Sequence, residues 1–164
     1  MKFQQNLLDY ISTSLITIGE TVSIAESVTS GLVQLAFSQM PNSTLFYKGG
    51  ITAFTLPEKL RFLDSNRIEE QGNNFETQHM ADIMARKVAM SFGTDWGISS
   101  TGYAACTRNS GFHIFSFRSF SYKGDIILSK RIELNDKIQA LDAQLYYTEF
   151  ILGSFKGALN QILI

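Results

Sequence analysis

The sequence predicts an α/β protein, a three-layer α/β/α sandwich built on a mixed sheet. Three observations lead there. Short apolar, β-branched runs alternate with longer stretches whose apolar residues recur every three or four positions. Two of the short runs end in turns rich in hydroxyl residues and glycine. Two further strand-like segments flank Lys123-Gly124-Asp125, the chemistry of an antiparallel hairpin.

From Phe3 to Ile18 the residues Phe3, Leu7, Leu8, Ile11, Leu15 and Ile18 form one stripe of an amphipathic helix, which Gly19 can end. Thr21 to Ala25 is a short strand. Gly31 to Met40 is helical in pattern and closes on Pro41-Asn42-Ser43. Leu45 to Thr55 reads as a strand in which Gly49 and Gly50 permit a bulge or the close approach of a ligand. Leu56-Pro57-Glu58-Lys59 opens another helix, with Pro57 in the first turn where its missing N–H costs nothing. Glu76 to Phe92 is a long helix with Met80, Ile83, Met84, Val88 and Phe92 on one face, and Trp96 to Ser100 is a strand stopping at Thr101-Gly102. Phe112 to Tyr122 and Ile126 to Ile132 form the hairpin, and a last helix runs from Asp136 to Leu159, finishing near Gly157.

A chain of 164 residues, 45% hydrophobic and 18% charged, fits a single domain over residues 1–164 with a core large enough to stand alone. Its formal net charge of −1 gives no field that would recruit nucleic acid or an acidic membrane, so neither is expected as a partner. Cys106 is the only cysteine, which excludes an intramolecular disulfide and a multi-cysteine zinc site. The N-terminus lacks the pattern of a signal peptide and no apolar run is long enough to span a bilayer, so a cytoplasmic location is expected.

The most informative segment is Val22-Ser-Ile-Ala-Glu-Ser-Val-Thr-Ser-Gly31, a strand delivering Ser27 to a helix N-terminus. Such a turn offers an open hydroxyl beside backbone N–H groups suited to an oxyanion, and equally a simple helix cap. Glu26 is expected to orient the turn through hydrogen bonds to backbone N–H groups. His79 and His113 stand alone in the sequence without acidic neighbours, so no metal is expected. Cys106 has Arg108 nearby but no identifiable histidine. Lys48, Arg108, Arg118 and Lys137 make a phosphate-sized basic patch if the fold gathers them, and scattered surface charge if it does not.

Taken together, Ala25-Glu-Ser-Val-Thr-Ser-Gly31, Phe46-Tyr-Lys-Gly-Gly-Ile-Thr52, Lys59 and Ile98-Ser-Ser-Thr-Gly102 resemble, in order and approximate spacing over roughly residues 5 to 158, the CinA C-terminal domain family. Its usual pattern is A-E-S-C-T-G-G, then F-x-x-G-x-V-x-Y-S-N-x-x-K, then S-G-I-A-G-P or T-G-I-A-G-P. The resemblance implies hydrolysis of the carboxamide of nicotinamide mononucleotide to nicotinic acid mononucleotide and ammonia, with a small nucleotide-like substrate and neither metal nor cofactor. It assigns Ser27 as nucleophile and Lys59 as the general base. An unperturbed lysine is protonated at neutral pH, so the base role asks for an unusual setting, which burial beside Phe54, Leu56 and Leu60 would supply. Amides near Val28 and Thr29 would stabilise the oxyanion. Ser30, Gly49, Thr101, Gly102 and Lys137 fall on further binding positions. The family often self-associates, which implies a homo-oligomer with Phe112 to Tyr122 as the expected interface. It also occurs fused behind a larger N-terminal domain in competence- and damage-inducible proteins. That domain is absent from this sequence, so no pyrophosphatase activity is expected.

The departures from the pattern bear on activity. Phe54 stands five residues before Lys59 where the family has a tyrosine, which removes a hydroxyl from the proton relay. Ser30 replaces a glycine. The loop usually written T-G-I-A-G-P-x-G-G is Thr101-Gly-Tyr-Ala-Ala-Cys-Thr-Arg-Asn-Ser-Gly111, with Ala105-Cys106 at its Gly-Pro pair. The serine of G-A-V-S is read as Phe75, and the late G-D-R as Asn135-Asp136-Lys137, where lysine cannot clamp a phosphate bidentately. Bulky Tyr103 and Phe75 would narrow the pocket. These changes imply an altered substrate or weakened activity. The alternative is a catalytically inactive relative that binds a nucleotide-like ligand or a protein partner.

Overall fold

The structure, a computed structural model, describes residues 2–64 and 76–164. Helix α1 (Gln5–Ile18) buries Leu8, Ile11 and Leu15 and ends at Gly19, whose φ of +69° turns the chain in the left-handed conformation that glycine tolerates. Strand β1 (Val22–Glu26) is buried at all of its positions, as a central strand covered on both faces must be. After it come α2 (Leu32–Ser38), a 3-10 turn at Ser43–Leu45, β2 (Tyr47–Thr52) and α3 (Leu56–Phe62). The chain then continues through α4 (Gln78–Phe92), β3 (Trp96–Gly102), β4 (Ile114–Tyr122), β5 (Asp125–Leu134) and α5 (Ala140–Leu163).

The sheet has the order β2-β1-β3-β4-β5. Strand β1 is parallel to both β2 and β3, while β3–β4 and β4–β5 are antiparallel. On one face, Ile11 and Leu15 of α1, Phe37 of α2, and Ile151, Leu152 and Phe155 of α5 pack on Ile24, Trp96, Ile98 and Phe120 of the sheet. On the other, Met80, Met84 and Val88 of α4 cover Ala25, joined by Leu56 and Phe62 of α3. This is the expected α/β/α sandwich. Two antiparallel steps make β5 run in the direction of β3, so the chain leaving β1, β3 and β5 emerges at one end of the sheet. Open α/β sheets bind ligands at that end.

The boundaries differ from expectation for identifiable reasons. Helix α2 starts only at Leu32, because Ser30 and Gly31 take φ values of +49° and +96° and hold the chain out of the helix. Helix α5 starts at Ala140 and passes through Gly153 and Gly157 to Leu163. Two interior glycines cost about 2 kcal/mol against alanine, less than the burial of Ile151, Leu152, Phe155 and Leu159 on the same helix contributes. The hairpin turns at Lys123 and Gly124, both at positive φ, which lengthens β5 beyond the expected segment. Among the described residues, no helix is long and apolar enough to cross a membrane.

Candidate active site

Where β1 ends, Glu26 is fully buried and its carboxylate closes the turn. It accepts the N–H of Gly31 and of Val33 at 3.1 Å, the N–H of Gln34 at 2.7 Å and the hydroxyl of Thr29 at 2.5 Å. Thr29 Oγ1 also lies 2.6 Å from Ser100 Oγ, which ties the turn to β3. The amides opening α2 are therefore satisfied from within, and their partial positive charge is met by Glu26 instead of being offered to a ligand. The amides expected to serve the oxyanion, those of Val28 and Thr29, are not among the ones that Glu26 engages. The Thr29 side chain itself is structural.

What the turn leaves open lies one step earlier. The N–H of Ser27 goes to Ser100 O at 2.9 Å and that of Ser30 to Ser27 O at 3.0 Å. Among the described residues, the N–H groups of Val28 and Thr29 and the Ser27 hydroxyl make no hydrogen bond. A free hydroxyl and two free amides thus occupy three consecutive residues. Ser30, exposed and left-handed, carries strain that the family's glycine would not. Ser30→Gly is expected to raise stability by roughly 0.5–1 kcal/mol, read from the urea midpoint, because relief of the strain exceeds the added flexibility of the unfolded chain.

Lys59 lies in the last turn of the short helix α3 and is not solvated, being 1% exposed. Its Nζ forms an ion pair with one oxygen of the buried Glu76 and donates to Thr101 Oγ1 at 3.1 Å, while the Thr101 hydroxyl donates to the other Glu76 oxygen. Lysine, glutamate and threonine form a closed triangle against the end of β3. The surroundings of the amine are therefore polar, not the apolar shield expected from Phe54, Leu56 and Leu60, and Phe54 is 63% exposed. Lys59 and Ser27 make no hydrogen bond to each other among the described residues. Sequence reading missed Glu76. Phe75 lies outside the described residues, but the hydroxyl that caps α4 is Thr77, which accepts Met80 N–H at 3.1 Å. Glu76 directly precedes that cap.

Helix α5 braces both parts of the site. Gln144 Nε2 donates to Val28 O at 3.0 Å, and the Tyr147 hydroxyl donates to Tyr103 O at 2.9 Å. The Tyr103 phenol is held above its ordinary pKa, first by burial and then by the negative charge of Glu76, so this side chain sits in the field of the triangle. Gly102 is needed on steric grounds: at φ +150°, a Cβ there would lie 2.3 Å from Phe115 O.

Other candidates lie elsewhere. Gly49 sits in the half of β2 away from the strand ends, and a Cβ on it would come within 2.9 Å of the Phe92 ring, so its missing side chain serves packing and not the cleft. The expected bulge is present, with the register shifting between Val22 and Ser23. Lys137 is exposed on the β5–α5 loop at the site's end of the sheet. The basic patch is not gathered: Lys48 donates to Thr44 O and Leu45 O from β2, whereas Arg118 belongs to β4, with β1 and β3 between. His113 does have acidic neighbours, with Nδ1 at 3.2 Å from Glu133 and 3.8 Å from Asp136, on the surface. Cys106 is exposed, with Sγ 3.1 Å from Phe112 O.

A mixed-sheet α/β/α sandwich with a hydroxyl turn after β1 and a buried lysine at the same sheet end defines a narrow structural class. The chain belongs to the CinA C-terminal domain family, whose model matches residues 4–113. It is 34% identical over 137 residues to a CinA-like protein of Dictyoglomus thermophilum, covering 74% of this chain and 32% of that protein. It is 31% identical over 100 residues to a CinA-like protein of Trichodesmium erythraeum, covering 61% of this chain and 24% of that one. The chain therefore spans about a quarter to a third of the length of these curated relatives. Among solved structures, a CinA superfamily protein from Klebsiella pneumoniae 700603 superposes with a TM-score of 0.85 at 18% identity, covering 98% of this chain and 99% of that one. A competence or damage-inducible protein from Enterobacter asburiae gives 0.84 at 20% identity, covering 94% and 97%. These likenesses concern the fold.

Proposed function

We propose that this chain is an amidohydrolase that cleaves the carboxamide of nicotinamide mononucleotide or a close analogue by a Ser–Lys mechanism. One observation carries the reading: the Ser27 hydroxyl and the adjacent Val28 and Thr29 amides are all unengaged at the sheet end where Lys59 is buried. Ser27 Oγ attacks the amide carbon, and the Val28 and Thr29 N–H groups receive the oxyanion. Lys59 is paired, so it cannot act as a lone free amine. The Lys59–Glu76 pair instead takes up the proton as a unit: Glu76 accepts one from the ammonium as the amine receives that of Ser27. The pair then returns a proton to the departing ammonia, and water releases the acid from the acyl-serine. Thr101 fixes both partners through its single hydroxyl. Lys137 supplies charge for the substrate phosphate. A cytoplasmic setting and self-association belong to the same reading.

The test is stoichiometric formation of nicotinic acid mononucleotide and ammonia by the purified chain. Product at the rate of the buffer blank overturns the reading for this substrate. A second reading, a non-catalytic relative that binds a nucleotide-like ligand, is favoured by the absence of a Ser27–Lys59 hydrogen bond and by the exposed Phe54 at the family's tyrosine position. Phe54→Tyr separates the two. A gain in turnover of about tenfold or more, the scale of a restored proton-relay group, identifies an enzyme weakened at that position. No turnover in either form supports the second reading.

A further inference from the structure

Arg118 stands on β4 opposite Ser100 of β3 and Lys130 of β5, and its side chain reaches toward α5, where Nε donates to Ser154 Oγ at 2.9 Å. Its NH1 atom is buried and makes no hydrogen bond among the described residues. Native proteins pair the great majority of buried side-chain donors, and a guanidinium presents donors on a planar edge matched to the oxygens of a carboxylate or phosphate. Burial holds this group below its ordinary pKa, and among the described residues Arg118 forms no ion pair. Beside it a groove of about 560 Å³ runs between β5 and α5, lined by Arg118, Leu128, Lys130, Ser154, Gly157 and Gln161 among others, with no acidic residue in its wall. That size suits a small metabolite. The groove lies on the α5 face of the sheet, whereas Lys59 belongs to α3 on the α4 face, so it is separate from the amidase reading.

We propose that this groove is a second binding site, for a small organic anion whose carboxylate or phosphate oxygens accept hydrogen bonds from the Arg118 guanidinium. Lys130 adds charge at the mouth, Ser154 and Gln161 add hydrogen-bonding groups, and the aliphatic wall at Leu128 and Ala158 covers the rest of the ligand.

The test is titration of the 15N-labelled chain with inorganic phosphate and, separately, succinate at constant ionic strength, with chloride as control. Saturable shifts of the Lys130, Ser154 and Gln161 amides are expected with at least one anion and none with chloride. Saturation by phosphate alone assigns a phosphate-bearing ligand and saturation by succinate alone a carboxylate, each in support. Arg118→Gln is expected to weaken binding at least about tenfold and Lys130→Gln about threefold. Shifts linear in concentration for both anions, or equal affinity in Arg118→Gln, overturn the proposal. Should Arg118→Gln not fold, Lys130→Glu, exposed at the mouth, replaces it, and unchanged affinity there overturns the proposal as well.

Discussion

Lys59→Met is expected to lower the unfolding free energy by about 3–5 kcal/mol, because it removes the counter-charge from a carboxylate held in the interior. The amine is 1% exposed and its ion pair with Glu76 is closed further by Thr101, so little water is available to replace it. The double variant Lys59→Met, Glu76→Leu is expected to recover most of that loss, since replacing a buried pair by apolar side chains of similar size is nearly neutral. Urea denaturation of the two variants and the wild type checks both statements at once. A single-variant loss below about 1 kcal/mol would be the behaviour of a solvated surface pair and would contradict the buried triangle.

Glu26→Ala is expected to be as damaging, at about 3–4 kcal/mol, because one truncation strips the acceptor from three backbone N–H groups and a buried hydroxyl. Glu26→Gln is expected to cost less, since its amide keeps one acceptor oxygen but turns donors toward N–H groups that are donors themselves. Hydrogen exchange localises the effect. The amides of Gly31, Val33 and Gln34 should lose protection in Glu26→Gln while those inside α4 keep it, and uniform loss across both helices would contradict the local cap. If α2 loosens in this way, Ser27 loses its setting, and under the proposed function activity is expected to fall with the cap.

The fold was largely legible in the sequence because its signals are periodic. The three- and four-residue spacing of Leu8, Ile11 and Leu15 and the short strand read over Thr21 to Ala25 need no partner to be recognised. The ends of elements were less legible where local and tertiary terms compete. Gly157 reads as a helix stop, yet the core contacts of Phe155 and Leu159 carry α5 past it. In the site, Ser27, Lys59 and Thr101 were marked by their residue types in an ordered motif. Glu76 was not, because its role depends on Lys59, which is 17 residues distant in the chain and meets it only through folding. The same limit applies to Gln144 and Tyr147, whose bonds to the Ser27 turn and to Tyr103 cross 116 and 44 residues. A carboxylate directly before the α4 cap is the signal that was available.

The triangle changes what Lys59 has to do. A buried lysine alone would act as a base through its own loss of charge, whereas in the proposed mechanism Lys59 beside Glu76 acts through exchange of a proton within the pair. Glu76→Gln, which keeps the shape and a hydrogen bond to Thr101 but removes the proton acceptor, is therefore expected to lower kcat by about 10²-fold or more with a smaller change in KM. Equal kcat in Glu76→Gln and wild type would remove Glu76 from the proton path.

The most direct measurement of the central claim, that Ser27 is the nucleophile of an amide hydrolysis, is ammonia release from nicotinamide mononucleotide by wild type and Ser27→Ala at matched concentration, with matched circular dichroism spectra. Measurable turnover by the wild type and a loss of at least about 10³-fold in Ser27→Ala are predicted. Equal rates from the two proteins would contradict it.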